Sequence, residues 1–173
     1  MTDNQNRSNK TKAMATRAML VAVAFVLSWL EAQIPAFFAV PGMKLGLTNL
    51  VVLVALYILG SKDALGINLL RILLVGLTFG NAFSLLYSAA GGILSGTCMI
   101  LLKKTGRFSV TAVSIAGGVM HNVGQIIVAM IVLETKALAY YLIPLWASGI
   151  VAGAIIGILS SMVIKRLPKS IAE

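Results

Sequence analysis

Two places in this chain carry side chains of the kind that bind or transform small molecules: the run His121-Asn122-Val123-Gly124-Gln125, and Arg71, alone between Leu70 and Ile72. On a helix, His121 and Gln125 stand at i and i+4 on one face, with Asn122 beside them and Gly124 opening space. Such a face suits the wall of a ligand site; the bland alternative is that His121 hydrogen-bonds a neighbouring helix. Arg71 has no acidic residue nearby in its own apolar run, so it must reach a carboxylate on another segment, backbone carbonyls, or an anionic ligand. It is either structural or the partner of a ligand anion.

Catalysis is a poor fit. The acidic residues are Asp3, Glu31, Asp63, Glu134 and Glu173, none within a helical turn of another, which excludes a paired-aspartate metal site for diphosphate chemistry. No glycine loop precedes a Lys-Ser or Lys-Thr pair, so the chain has no nucleotide-hydrolysing loop of its own. A single histidine without a positioned nucleophile and carboxylate makes no triad. The one cysteine, Cys98, lies in an apolar run and reads as a small buried hydrophobe. The chain is expected to be no enzyme and to need no cofactor or metal.

The remaining polar groups gather toward one side once the apolar runs are laid out. Lys44 and Asn49 open the second run, Asn81, Ser84, Tyr87 and Ser88 open the fourth, and Tyr140, Tyr141 and Trp146 open the sixth, while Glu31 and Gln33 close the first. Polar groups at membrane depth are costly, and a grouping of this kind predicts a cavity at one end, sealed below by apolar packing. The candidate ligand-binding set is Lys44, Asn49, Asn81, Ser84, Tyr87, His121, Asn122, Gln125 and Trp146. Bland alternatives remain: Asn81 follows Gly80 and suits a helix cap, and Trp29, Tyr140, Tyr141 and Trp146 suit an aromatic belt at the headgroups.

The elements that must position these residues follow from composition. Of 173 residues, 59% are hydrophobic and 11% charged, too few charges to cover a water-soluble domain of this size. Lipid is the solvent. The net charge of +9 does not indicate nucleic acid, because the basic residues sit in short gaps between apolar runs rather than in one polar stretch. The runs predict six helices near 14–30, 44–59, 64–79, 81–102, 108–133 and 137–164. Pro35 and Pro41 break the connection between the first two. The second and third runs are shorter than the about 20 residues that cross a bilayer unaided, so they either reenter or cross where protein or a thinned bilayer covers their ends. Residues 1–12 read as a polar cytoplasmic leader, 13–166 as one six-helix membrane domain and 167–173 as a tail.

Six crossings with the N-terminus inside sort the charges. Arg7, Lys10, Lys12, Arg17, Lys62, Lys103, Lys104, Arg107, Lys165, Arg166 and Lys169 then lie in the cytoplasm, against Lys44 and Lys136 outside. Both termini are therefore expected to be cytoplasmic and the polar cluster external. Small residues recur every fourth position in Ala18 and Ala22, in Ser88, Gly92 and Gly96, and in Gly149, Gly153 and Gly157, which lets helices approach closely in lipid. Packing within the chain accounts for such stripes; for Ala18 and Ala22 the rival is docking of another membrane subunit.

Four segments together, Pro41-Gly42-Met43-Lys44-Leu45-Gly46-Leu47-Thr48-Asn49, Arg71 through Phe79-Gly80-Asn81, Ser88-Ala89-Ala90-Gly91-Gly92, and His121 through Gln125, resemble the Gx transporter family, also called heptaprenyl diphosphate synthase component I. The resemblance covers roughly residues 12–165. More broadly the chain is similar to the S components of energy-coupling factor (ECF) transporters, six-helix proteins with a small-residue motif on the first helix that Ala18 and Ala22 match. The resemblance implies a plasma-membrane subunit that captures a small vitamin- or precursor-like molecule in an outward cavity. Its implied partners are the lipid bilayer, a coupling membrane subunit that Ala18 and Ala22 would meet, and two cytoplasmic ATPases. Two other readings stand beside it. One is a non-catalytic accessory subunit of prenyl diphosphate synthesis; the other, a stand-alone carrier, lacks the mid-membrane carboxylates of a proton or sodium relay.

Overall fold

The structure, a computed structural model, describes residues 2–33 and 46–167. Six helices follow one another: α1 (Thr2–Gln33), α2 (Leu47–Ile58), α3 (Ser61–Thr78), α4 (Ala82–Thr105), α5 (Val110–Val132) and α6 (Leu142–Arg166), the last preceded by a 3-10 segment, Lys136–Tyr141. No strand occurs among the described residues. The apolar runs thus become helices one for one, and the differences at their ends have local causes. α1 continues back through the polar leader because nothing in it breaks a helix, and Thr11 and Thr16 return their hydroxyls to the carbonyls of Arg7 and Lys12 at 3.0 Å. The sixth run is split into a 3-10 turn and a helix, with Pro144 in the first turn of α6, where its missing N–H costs nothing.

Pairwise contacts show that successive helices alternate in direction. Arg71 of α3 meets Asn49 of α2, Ile72 lies under Gly92 of α4, Met99 lies under Gly117 of α5, and Gly149 of α6 lies under Gly118. One end of the bundle therefore collects the C-terminal ends of α1, α3 and α5 with the N-terminal ends of α2, α4 and α6. The opposite end carries Lys62, Lys103, Lys104, Arg107, Lys165 and Arg166. There the Arg17 guanidinium pairs with Asp63 at 2.9 Å, tying α1 to the start of α3.

Glycines set the spacing. A Cβ on Gly124 would lie 2.8 Å from the Ala90 carbonyl oxygen, one on Gly118 2.6 Å from the Gly149 oxygen, and one on Gly153 2.7 Å from Ile115 Cα. The α6 stripe is thus consumed by packing within the chain, as is Gly92 on α4, whose Cβ would lie 2.6 Å from Ile72 Cδ1, while Ser88 of the same α4 stripe lines a cavity. The Ala18 and Ala22 stripe is left open: both are exposed on α1, which among the described residues packs chiefly on α2 and α3 and leaves Met14, Met19, Val23 and Trp29 uncovered.

Inside and outside are inverted relative to a water-soluble bundle. Leu77, Ile131 and Ile143 are 78%, 70% and 73% exposed, whereas Ser28, Thr48, Asn68, Ser95, Ser114 and Ser160 are buried. An apolar exterior of that extent is stable only in lipid. α4, α5, α6 with its 3-10 lead-in, and the Lys10–Gln33 part of α1 are long and apolar enough to cross a membrane. The protein is a multi-pass membrane protein. α2 and α3 do not meet that criterion, for different reasons. α3 carries Lys62, Asp63 and Arg71 in 18 residues. α2 has 12 residues, about 18 Å of helix, and the positions 51–56 are all buried. A helix buried all round is covered by protein rather than lipid. Its core partners include Ala64, Ile67, Met99 and Val113, from three other helices.

Candidate functional site

The helix ends opposite the basic residues enclose a cavity of about 240 Å³. Every helix contributes to it: Ser28 and Glu31 from α1, Thr48 and Asn49 from α2, Arg71 from α3, Ser84, Ser88 and Ser95 from α4, His121, Asn122 and Gln125 from α5, and Gly149 from α6, with Asn81 at the start of α4. Phe79, Ile72, Val75, Leu85, Met99 and Ile156 supply the apolar part. From Ser84 to Ser95 along α4 is about 17 Å, more than half a hydrocarbon core of about 30 Å. The recess is thus deeper than a polar cluster confined to one half of the bundle, and Met99 is both its floor and part of the apolar core beneath.

Each polar side chain is held by an identifiable device. Asn49 sits one turn into α2, which starts after Gly46 at φ 73°; a Cβ there would meet Asn49 Nδ2 at 3.3 Å, in a backbone region that favours glycine in any case. Glu31 accepts a hydrogen bond from the Gly46 N–H, and the Ser28 and Thr48 hydroxyls meet at 2.9 Å, so two bonds fasten α1 to the beginning of α2. Asn81 caps α4: its Oδ1 accepts from Ser84 N–H at 2.7 Å while Ser84 Oγ accepts from Asn81 N–H at 2.9 Å. The cap reading of Asn81 and its place at the cavity are therefore compatible.

On α5 the His121 ring packs over Gly91, where a Cβ would lie 3.0 Å from both Cε1 and Nδ1. Asn122 Nδ2 donates to the Leu145 carbonyl at 2.6 Å, an acceptor it shares with Ser148 Oγ at 2.9 Å. Asn122 therefore binds α5 to α6 as well as lining the cavity. The Ser95 hydroxyl, 2% exposed and among the lining, has no hydrogen-bond partner among the described residues, which leaves a donor and an acceptor at the deep end.

Arg71 is explained by its surroundings. Its Nε donates to Asn68 Oδ1 at 3.1 Å and an Nη2 N–H reaches Asn49 Oδ1 at 3.4 Å. Asn68, buried, donates in turn to the Gly92 carbonyl at 3.0 Å. The acceptors are side-chain amides rather than backbone carbonyls.

Of the residues singled out by sequence, Asn49, Asn81, Ser84, His121, Asn122 and Gln125 line this one cavity, with Arg71. Two do not join them. Tyr87 and Trp146 are absent from the lining, and Trp146 is 46% exposed. An aromatic at the start of a long helix has an outward option, and Trp146 takes it. Lys44 lies outside the described residues. Sequence reasoning missed Ser28, Thr48, Ser95 and Ser114, each a lone hydroxyl in an apolar run, and treated Glu31 as a helix end. Their one signal was polarity at membrane depth. Among the described residues no three His, Cys, Asp or Glu side chains gather to hold a metal ion.

The family described as heptaprenyl diphosphate synthase component I matches residues 20–163. No curated protein and no solved structure matches the chain.

Proposed function

This chain belongs to the heptaprenyl diphosphate synthase component I family, and from that footing we propose that it is the S component of an ECF-type uptake transporter, capturing a small vitamin- or precursor-like molecule. One observation carries the reading. Five of the six helices contribute polar side chains to a single recess, α6 lining it with Gly149, Ala152, Gly153 and Ile156, and apart from Arg71 within it and Lys136 the described part of that end of the bundle lacks basic residues. The positive-inside bias puts that end outside the cell. A volume of about 240 Å³ lies just under the about 300–1,000 Å³ usual for small-molecule pockets, in keeping with a compact ligand.

Transport against a gradient needs energy that this chain has no means to harvest, so the reading includes a coupling membrane subunit and two ATPases. The uncovered face of α1 around Ala18 and Ala22 is the surface available to the former. Native mass spectrometry of the protein extracted from its own plasma membrane tests the whole assignment. The expected result is a retained small molecule together with the coupling subunit and ATPases. The family description favours one rival, a non-catalytic accessory subunit of prenyl diphosphate synthesis. An empty chain that co-purifies with a soluble prenyl synthase would establish that rival instead.

A further inference from the structure

The Arg71 guanidinium has five N–H donors, and two of them are engaged, by Asn68 Oδ1 and Asn49 Oδ1. Both acceptors are neutral amides. Glu31 lines the same cavity, yet it turns an oxygen to the Gly46 N–H, and no ion pair joins it to Arg71; among the described residues the ion pair is Arg17 with Asp63. A guanidinium within the membrane span is expensive, and the least costly remedy, direct pairing with the carboxylate across the cavity, is not taken. The arrangement instead fixes the fork. Gly92 of α4 holds Asn68, Asn68 holds Nε, and Asn49 of α2 holds one Nη2 N–H, leaving the remaining donors for the cavity that Arg71 lines. A planar fork positioned by supporting side chains matches a carboxylate or phosphate geometrically, and charge-assisted bonds of that kind are about twice as strong as neutral ones.

We infer that the molecule taken into this cavity carries an oxyanion, a carboxylate or a phosphate group, received by Arg71, with Asn49 and Asn68 as positioning residues. The inference rests on the cavity being the ligand site and goes beyond it by naming the chemical class. Phe79, Val75 and Leu85 line the same cavity as Arg71 and would cover an apolar portion of such a ligand.

The test compares benzoate, its uncharged counterpart benzamide, and inorganic phosphate as probes, read by the thermal unfolding shift of the full chain in detergent as each is titrated. Wild type is expected to respond to benzoate or phosphate at concentrations about ten-fold or more below benzamide, and which of the two anions acts identifies the group. Asn49→Asp keeps the Oδ1 acceptor and supplies Arg71 with a built-in anion, so it should unfold no more easily than wild type while losing the preference. Arg71→Gln should lose it as well. Equal responses of wild type to all three probes, or an anion preference that survives Asn49→Asp, overturn the inference. Benzamide binding that is abolished by Gln125→Ala, with no preference for anions, would remove the oxyanion while leaving the ligand cavity standing.

Discussion

A valine at Gly124 would press its Cβ to 2.8 Å from the Ala90 carbonyl oxygen and 2.9 Å from Gly91 Cα, backbone atoms with no side-chain freedom to yield. Gly124→Val should lower stability by about 1–3 kcal/mol or more, seen as an earlier thermal unfolding midpoint. Gly66 is the control: exposed in α3, with nothing within 4 Å of its built Cβ, it should accept alanine with no loss and a gain of about 0.4–1 kcal/mol. The two glycines look alike as letters in apolar runs. Asn122 and Gln125 differ in the same way. Asn122 ties α5 to α6, so Asn122→Ala should weaken ligand binding and folding together. Gln125, which lines the cavity from the same helix with no side-chain hydrogen bond among the described residues, gives the cleaner variant: under the proposed role, Gln125→Ala should reduce ligand affinity with an unchanged unfolding midpoint.

Among the elements, α2 departs most from what its sequence suggests. The run from 44 to 59 reads as a short crossing or a reentrant segment, and it contains nothing that tells lipid-facing from protein-facing positions. In the folded chain, positions 51–56 are buried on every side, so α2 is the post around which the other helices stand. Leu53→Ala, at 1% exposure, should therefore cost about 2–5 kcal/mol, measurable by denaturant unfolding. The Arg17 to Asp63 pair at the other end is half-exposed on the arginine side, and Arg17→Ala should cost at most about 1 kcal/mol. α1 is the converse of α2, exposed along Met14, Ala18, Met19, Ala22 and Val23. Under the proposed transport role, Ala18→Leu should diminish uptake and co-purification of the coupling subunit while ligand binding by the isolated chain persists.

At the scale of the whole molecule, the proposed orientation has a direct readout. With Cys98 replaced by serine, a cysteine at Lys136 should react with a membrane-impermeant maleimide in intact cells. One at Lys104 should react only after the membrane is opened. The reverse pattern would place the cavity on the cytoplasmic side and end the uptake reading. The contact between Met99, the cavity floor, and the core around Leu53 and Val113 means that the cavity end and the basic end are joined by one packed apolar plug. Under the proposed transport role, passage of ligand requires that plug or the whole bundle to move.

Composition and the spacing of apolar runs were enough to establish a helical membrane protein, the number of helices and most of their limits, because a chain in lipid must satisfy its backbone within each segment. The grouping of Asn49, Asn81, Ser84, His121, Asn122 and Gln125 at one end was also legible, since alternating helix direction brings alternate termini together. Which side chains turn inward was decided only by tertiary packing. Rotation of a helix about its axis depends on where glycines allow close approach, and that rotation put Trp146 outside, Ser95 and Ser114 within, and Arg71 against two asparagines rather than a carboxylate.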